Sequence, residues 1–141
     1  MKRIRAVLIE DHAIVREGIR MMLALDEQID VVGEATSGEE GLRTVAVLKP
    51  DVVLMDIQMP GMDGPEATQR IKAEFSEVNV LILSSYGEEY LAHAIEDGAS
   101  GYLLKSSTRE ELTGAIQAIC EGQSPIDPTL SRELFSELAS L

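Results

Sequence analysis

Five short apolar blocks, each followed by a stretch with helical spacing, constrain the fold of this chain more than any other feature. The blocks are continuous rather than alternating, and they lie at 6–9, 31–32, 52–55, 80–83 and 102–104. Continuous apolar blocks are typical of strands that are buried on both faces of a parallel sheet. Repeated alternation of strand and helix therefore predicts right-handed βαβ units and an α/β fold, a doubly wound parallel sheet covered by helices on both faces.

Apolar spacing and capping residues predict where the helices lie. The expected ranges are 13–25, 38 onwards, 65–75, 88–97 and the stretch after 107. Ser37 with Glu40, and Ser107 with Glu110, match the capping-box pattern that begins a helix.

The composition changes after about Gly122. The segment "GQSPIDP" is typical of a linker, and Asp127 followed by Pro128 predicts the start of a last helix. We therefore expect one domain over 1–122, followed by a linker and C-terminal helix over 123–141.

Charge and cysteine content exclude several classes of protein. Twelve basic and 25 acidic residues give a formal charge of −13, which argues against nucleic-acid binding by this chain alone. A single cysteine excludes a disulfide framework and a cysteine metal cluster. The apolar run "AVLI" is too short for a secretory signal, and no run approaches the length of a membrane helix. We expect a soluble, cytoplasmic protein without a membrane partner.

Polar residues follow four of the five predicted strands. In open parallel sheets, ligands bind outside the carboxyl ends of the strands. The residues expected there are three carboxylates, a hydroxyl and an ammonium, from Glu10, Asp11, Asp56, Ser84 and Lys105. Clustered carboxylates raise one another's pKa unless a cation neutralises them, and hard oxygen ligands suit Mg²⁺. The sequence therefore predicts a magnesium site rather than a zinc site.

The chemistry of these groups points to phosphoryl transfer. With Mg²⁺ bound, the Asp56 carboxylate could act as a nucleophile toward a phosphoryl group and form an acyl phosphate. Lys105 and Ser84 would then contact the phosphoryl oxygens. A rigid strand end would aim Asp56, and the turn "MPGMDG" that follows would leave room for metal and phosphate.

Four motifs resemble the receiver domains of bacterial two-component response regulators, most closely those of the NarL/LuxR type. They are "VLIEDHAIVREGI", "VVLMDIQMPGMDG", "LSSY" and "GASGYLLK", and they run through most of 1–122. The resemblance implies a sheet order of 2-1-3-4-5 and phosphorylation by a sensor histidine kinase. It also implies a regulator, with self-catalysed phosphotransfer and dephosphorylation only, rather than a conventional enzyme.

The same resemblance implies a role for each of seven residues. These roles are phosphoacceptor for Asp56, direct Mg²⁺ ligand for Asp11, water-mediated ligand for Glu10, backbone carbonyl ligand for Gln58, switch hydroxyl for Ser84, phosphate-binding ammonium for Lys105 and switch aromatic for Tyr102.

Three positions depart from the common receiver pattern. Glu10 stands where many receivers have aspartate, which alters the reach of the carboxylate. Ser106 stands where many have a proline with a cis bond, and a non-proline cis bond would cost about 2.5–4 kcal/mol. The interval from Ser84 to Lys105 is 21 positions (105 − 84), one fewer than is usual in the NarL/LuxR type. This shorter loop bears on the switch movement more than on the chemistry.

Three other functions are alternatives to a transcription-regulating receiver. A stand-alone phosphorelay receiver would share every motif. An Mg²⁺-dependent aspartyl-phosphate phosphatase usually needs a second aspartate two residues after the nucleophile, where this chain has Gln58. A flavodoxin-like electron carrier would need a phosphate-cradling loop after the first strand, where this chain has carboxylates.

The C-terminal segment carries one apolar stripe. Its residues recur at helical spacing, as Leu130, Leu134, Leu138 and Leu141. We expect this stripe to pack on the receiver or to pair with another copy, which makes a homodimer one expected partner. Contact with DNA is expected only through a helix-turn-helix domain that this sequence does not contain.

Overall fold

The structure, a computed structural model, describes residues 2–85 and 90–141. Its parallel sheet has the order β2-β1-β3-β4-β5, which confirms the predicted fold. The strands are β1 (Ile4–Ile9), β2 (Ile29–Ala35), β3 (Val52–Asp56), β4 (Asn79–Ser84) and β5 (Gly101–Leu104). The helices are α1 (Ala13–Ala24), α2 (Gly38–Leu48), α3 (Gly64–Glu74), α4 (Leu91–Glu96), α5 (Arg109–Cys120) and α6 (Pro128–Ala139).

Two apolar clusters cover the two faces of the sheet. All five residues of the central strand β3 are buried, and alternate ones belong to opposite clusters: Val53 and Met55 to one, Val52 and Leu54 to the other. The first cluster includes residues of α3, α4 and α6, and the second includes residues of α1 and α5. Burial on both faces explains why the strands are continuous apolar blocks in the sequence.

The helix starts agree with the predicted caps except at α5. Ser37 Oγ accepts a hydrogen bond from the Glu40 N–H at 3.2 Å, as expected at the start of α2. The prediction that Ser107 and Glu110 begin α5 is wrong, because the capping box is formed one residue later by Thr108 and Glu111. The N–H of Ser107 instead closes a turn on the Leu104 carbonyl at 3.0 Å, so its backbone belongs to the preceding loop.

The fourth helix, Leu91–Glu96, lies within its predicted range of 88–97, and it ends one residue before that range does. Residues 86–89 lie outside the described part of the chain. The expectation about the shortened loop after Ser84 concerns these residues and stays a prediction. No cis peptide bond occurs in the described ranges, as expected from the serine at position 106. Among the described helices, none has the length and apolar character needed to cross a membrane.

The C-terminal segment is attached to the sheet before its helix begins. Ile126 forms a parallel bridge with Tyr102 at the outer edge of β5. Asp127 then caps α6, where its Oδ1 accepts a hydrogen bond from the Thr129 N–H at 3.0 Å. In the predicted apolar stripe, Leu130 is buried and Leu134 packs partly against the same cluster, whereas Leu138 and Leu141 are exposed.

Candidate functional site

The carboxyl ends of β1, β3 and β5 bring the predicted charged residues together. Glu10 follows β1 directly, Asp56 is the last residue of β3, and Lys105 follows β5. The Lys105 ammonium lies 2.9 Å from Glu10 Oε2 and 3.1 Å from Asp56 Oδ1. Both carboxylates are buried, with only 1 % of Glu10 exposed. One cation therefore bridges two buried carboxylates at the edge of the sheet.

Burial and like charge set the protonation of Asp56. Desolvation, followed by repulsion from Glu10, raises the pKa of the Asp56 carboxyl to about 6, although Lys105 opposes the shift. Burial alone would lower the pKa of the Lys105 ammonium, but its contacts with Glu10 and Asp56 outweigh burial and raise it. Lys105 thus stays charged, while Asp56 holds its proton to a higher pH than an ordinary aspartate.

The turn after β3 fixes the backbone around Asp56. The Gln58 N–H lies 3.4 Å from Asp56 Oδ1, and the Gly64 N–H bonds the Ile57 carbonyl at 3.2 Å. A Cβ on Gly64 would lie 2.4 Å from the Asp56 carbonyl oxygen, so only glycine allows α3 to start this close to the strand end. Gly61 has a φ of +75°, a left-handed conformation that glycine adopts without strain.

Oxygen ligands for a cation converge at the same point. Glu10, Asp11, Asp56 and the ring of His12 each place one ligand atom within 4.8 Å of the others. Asp56 Oδ2 is buried and has no hydrogen-bond partner among the described residues. A buried carboxylate oxygen without a partner is costly, and a hard cation would satisfy it. The donor set therefore fits Mg²⁺.

Ser84 is the last residue of β4, and Tyr102 lies in the neighbouring strand β5. Ser84 is fully buried, and its carbonyl accepts a hydrogen bond from the Lys105 N–H at 2.8 Å. Tyr102 is buried in the same apolar cluster as Leu91 and Ala94 of α4. Both residues lie in the strands in which the motifs place them, and their switch roles stay predictions.

Four contacts at this edge involve pairings that the motifs do not specify. His12 Nδ1 lies 3.2 Å from both Glu10 Oε1 and Asp11 Oδ1, and Arg16 donates to the Glu10 carbonyl at 2.9 Å. Gln58 Nε2 donates to the Tyr90 hydroxyl at 2.9 Å, which ties the turn after β3 to the start of α4. The position of Arg16, one helical turn into α1, could have indicated its contact with the end of β1. Nothing in the sequence indicates that Gln58 contacts Tyr90.

Comparison with known families agrees with this geometry. Residues 6–117 match the family described as the response regulator receiver domain, which is most of the chain. The chain belongs to this family. Its receiver fold and the NarL/LuxR-type resemblance are confirmed. Response regulators are signalling switches rather than conventional enzymes.

The chain is similar to several individual response regulators. It is 40% identical to the transcriptional regulatory protein LiaR of Bacillus subtilis (strain 168) over 96% of this chain and 64% of LiaR. It is 37% identical to DegU of Brevibacillus brevis over 99% of this chain and 59% of DegU. A LuxR-family response regulator from Aurantimonas sp. SI85-9A1 superposes with a TM-score of 0.93 at 37% identity, covering 98% of this chain and 99% of that one. The receiver thus spans about three fifths of the two curated relatives.

Proposed function

We propose that this receiver accepts a phosphoryl group from a sensor histidine kinase on Asp56 and passes the resulting change to a DNA-binding output domain. The observation that carries the proposal is the buried Asp56 Oδ2, which has no hydrogen-bond partner among the described residues although Oδ1 of the same carboxylate lies 3.1 Å from the Lys105 ammonium. One oxygen contacts the Lys105 ammonium, and the other is open to the cation and the phosphoryl group that the site would take.

The reaction is a displacement at phosphorus. The Asp56 carboxylate oxygen donates an electron pair to the phosphorus atom, the new O–P bond gives an acyl phosphate, and the broken P–N bond returns its electrons to the kinase imidazole. The Lys105 ammonium stabilises the negative charge on the transferred phosphoryl group, and the Ser84 hydroxyl donates a hydrogen bond to one of the phosphoryl oxygens. Self-catalysed transfer from small phosphodonors and hydrolysis of the acyl phosphate use the same groups.

Magnesium would be held by the carboxylates of Asp11 and Asp56, with the Gln58 backbone carbonyl as a further ligand. Both Glu10 oxygens already face a nitrogen, Oε2 that of Lys105 at 2.9 Å and Oε1 that of His12 at 3.2 Å, which supports a water-mediated role for Glu10. When bound, Mg²⁺ supplies charge neutralisation among the carboxylates and the phosphoryl oxygens.

The output is proposed from the relatives. LiaR and DegU are both transcriptional regulatory proteins, and each is longer than this chain. Because this chain carries a charge of −13, we assign DNA binding to a further domain and not to the receiver. A sensor histidine kinase is the proposed upstream partner, and the cytoplasm is the proposed location.

Intact-mass spectrometry with acetyl phosphate tests the assignment. In the presence of Mg²⁺ we expect one added phosphoryl group on the wild type and none on Asp56→Asn. Chelation of the metal should abolish labelling of the wild type. Asp63→Asn is the control, since that exposed aspartate caps α3 outside the site. Undiminished labelling of Asp56→Asn would overturn the proposal.

A further inference from the structure

The C-terminal segment 123–141, here called the tail, bonds directly to the strand that precedes Lys105. The Tyr102 N–H donates to the Pro125 carbonyl at 3.0 Å, and the Asp127 N–H donates to the Tyr102 carbonyl at 2.8 Å. Both backbone groups of Tyr102 at the outer edge of β5 are thus paired with the tail. A displacement of β5 would have to break these bonds or carry the tail with it.

A second connection joins the tail to the loop that carries Lys105. Ser107, two residues after Lys105, places its Oγ 3.4 Å from Asp127 Oδ2. Asp127 is buried, and its other carboxylate oxygen caps the start of α6. One buried side chain therefore contacts both the loop of the site and the first turn of the last helix.

The third connection is apolar. Leu130 is 1 % exposed and lies in the same buried cluster as Tyr102, Leu91 and Ala94, with Ile126 and Leu134 packed against it. The opposite side of α6 is open, since Phe135 is 73 % exposed. The helix is therefore held on one side by the residues that surround Tyr102.

From these three connections we propose that the tail is the element that carries the state of the phosphorylation site out of the receiver, through docking on β5 and α4. The inference rests on the proposed function. A phosphoryl group on Asp56 gives Lys105 and Ser84 a stronger anionic partner, which fixes the end of β5 and the loop to Ser107 more firmly. The tail then docks more tightly. Because coupling between two sites is reciprocal, undocking the tail must weaken binding at the site by the same factor.

Hydrogen exchange on the full chain, with Mg²⁺ and with or without beryllofluoride as the phosphoryl mimic, tests the proposal. In the wild type we expect the mimic to slow exchange of the first α6 amides by about two- to tenfold, the range that one hydrogen bond to the tail would give. Leu130→Ala should abolish this response and weaken beryllofluoride binding by a similar factor. Phe135→Ala, on the exposed side of the same helix, should behave like the wild type.

Ser107→Ala serves as a milder variant if Leu130→Ala unfolds the domain, and it should reduce the α6 response without removing any core side chain. The proposal is overturned if the wild type binds beryllofluoride while exchange in α6 stays unchanged or becomes faster. It is also overturned if Leu130→Ala and Ser107→Ala both respond fully. Absence of phosphoryl labelling on Asp56 would instead contradict the proposed function, and the two failures are therefore distinguishable.

Discussion

Asp56 is held at the end of β3 at an electrostatic cost. Its pKa is raised to about 6 because burial and the neighbouring Glu10 disfavour its charged form more than Lys105 favours it. A carboxyl whose pKa is higher in the folded than in the unfolded protein lowers stability as it ionises. The cost is therefore absent below the unfolded value of about 3.8, grows as the pH rises to about 6, and is constant above.

Asp56→Asn should consequently stabilise the metal-free protein more at neutral than at acidic pH. With the pKa shift from 3.8 to about 6, we expect the stability difference between variant and wild type to grow by about 1–2 kcal/mol between about pH 5 and about pH 7.5. Urea unfolding in EDTA at both pH values measures it. Asp30→Asn, at the edge strand β2, is the charge-matched control, and a difference that stays constant or shrinks would contradict the electrostatics.

The sequence predicted which residues meet at the site, but not which side chains contact one another there. The strand-end rule placed Glu10, Asp56 and Lys105 at one edge, because it needs only the positions of the strands. It could not predict that Lys105 bridges two of the carboxylates, since that depends on side-chain reach across β1, β3 and β5. The contact between Gln58 and Tyr90 could not be predicted for the same reason, because these residues are 32 positions apart and meet only through their side chains.

At the scale of elements, the periodic and continuous apolar patterns predicted each strand and helix of the described residues, but not every boundary. The start of α5 was placed one residue early because Ser107 and Thr108 both suit a cap, and only the turn onto Leu104 decides between them. The bridge from Ile126 to Tyr102 was not expected either, because two prolines and a glycine around it are typical of a linker.

Gly64→Ala should disturb the junction between β3, which ends at Asp56, and α3, which begins at Gly64. The added Cβ would meet the Asp56 carbonyl oxygen at 2.4 Å and Ile57 Cα at 2.7 Å, and both are backbone atoms that cannot rotate away. We expect a loss of about 1–3 kcal/mol in the free energy of unfolding, as for other overpacked sites, together with slower phosphoryl labelling.

Gly114→Ala is the matched control within α5. Apart from the adjoining backbone of α5, no atom of the described residues lies within 4 Å of the added Cβ there, so the helix should gain about 0.5–1 kcal/mol from the better propensity of alanine. Urea unfolding of both variants measures the two effects. Equal stability of Gly64→Ala and the wild type would show that α3 can move away from the strand end.

At the scale of the whole molecule, a charge of −13 on 141 residues imposes self-repulsion on the folded state. The repulsion acts mainly through solvent and is screened by salt, with a Debye length of about 10 Å at 0.1 M ionic strength. The buried contacts of Lys105 with Glu10 and Asp56 are screened much less. The net effect of salt should therefore be stabilising.

Thermal unfolding in EDTA should show a higher midpoint as NaCl rises from about 0.01 M to about 0.5 M, because screening extends over that range. Asp56→Asn should show nearly the same salt dependence, since the repulsion is spread over the surface. A midpoint that falls with salt would mean that favourable surface ion pairs, such as that between Arg16 and Glu34, outweigh the net charge.

The bridge between Ile126 and Tyr102 has a consequence for solubility. β5 is an edge strand, and an uncovered edge presents free backbone donors and acceptors to which strands of other molecules can pair. Here Pro125 and Asp127 occupy those groups on Tyr102, and a proline on the outer side has no N–H with which to continue the ladder. The tail thus also protects the sheet against edge-to-edge aggregation, and a receiver shortened to residue 122 would lose that protection together with its last helix.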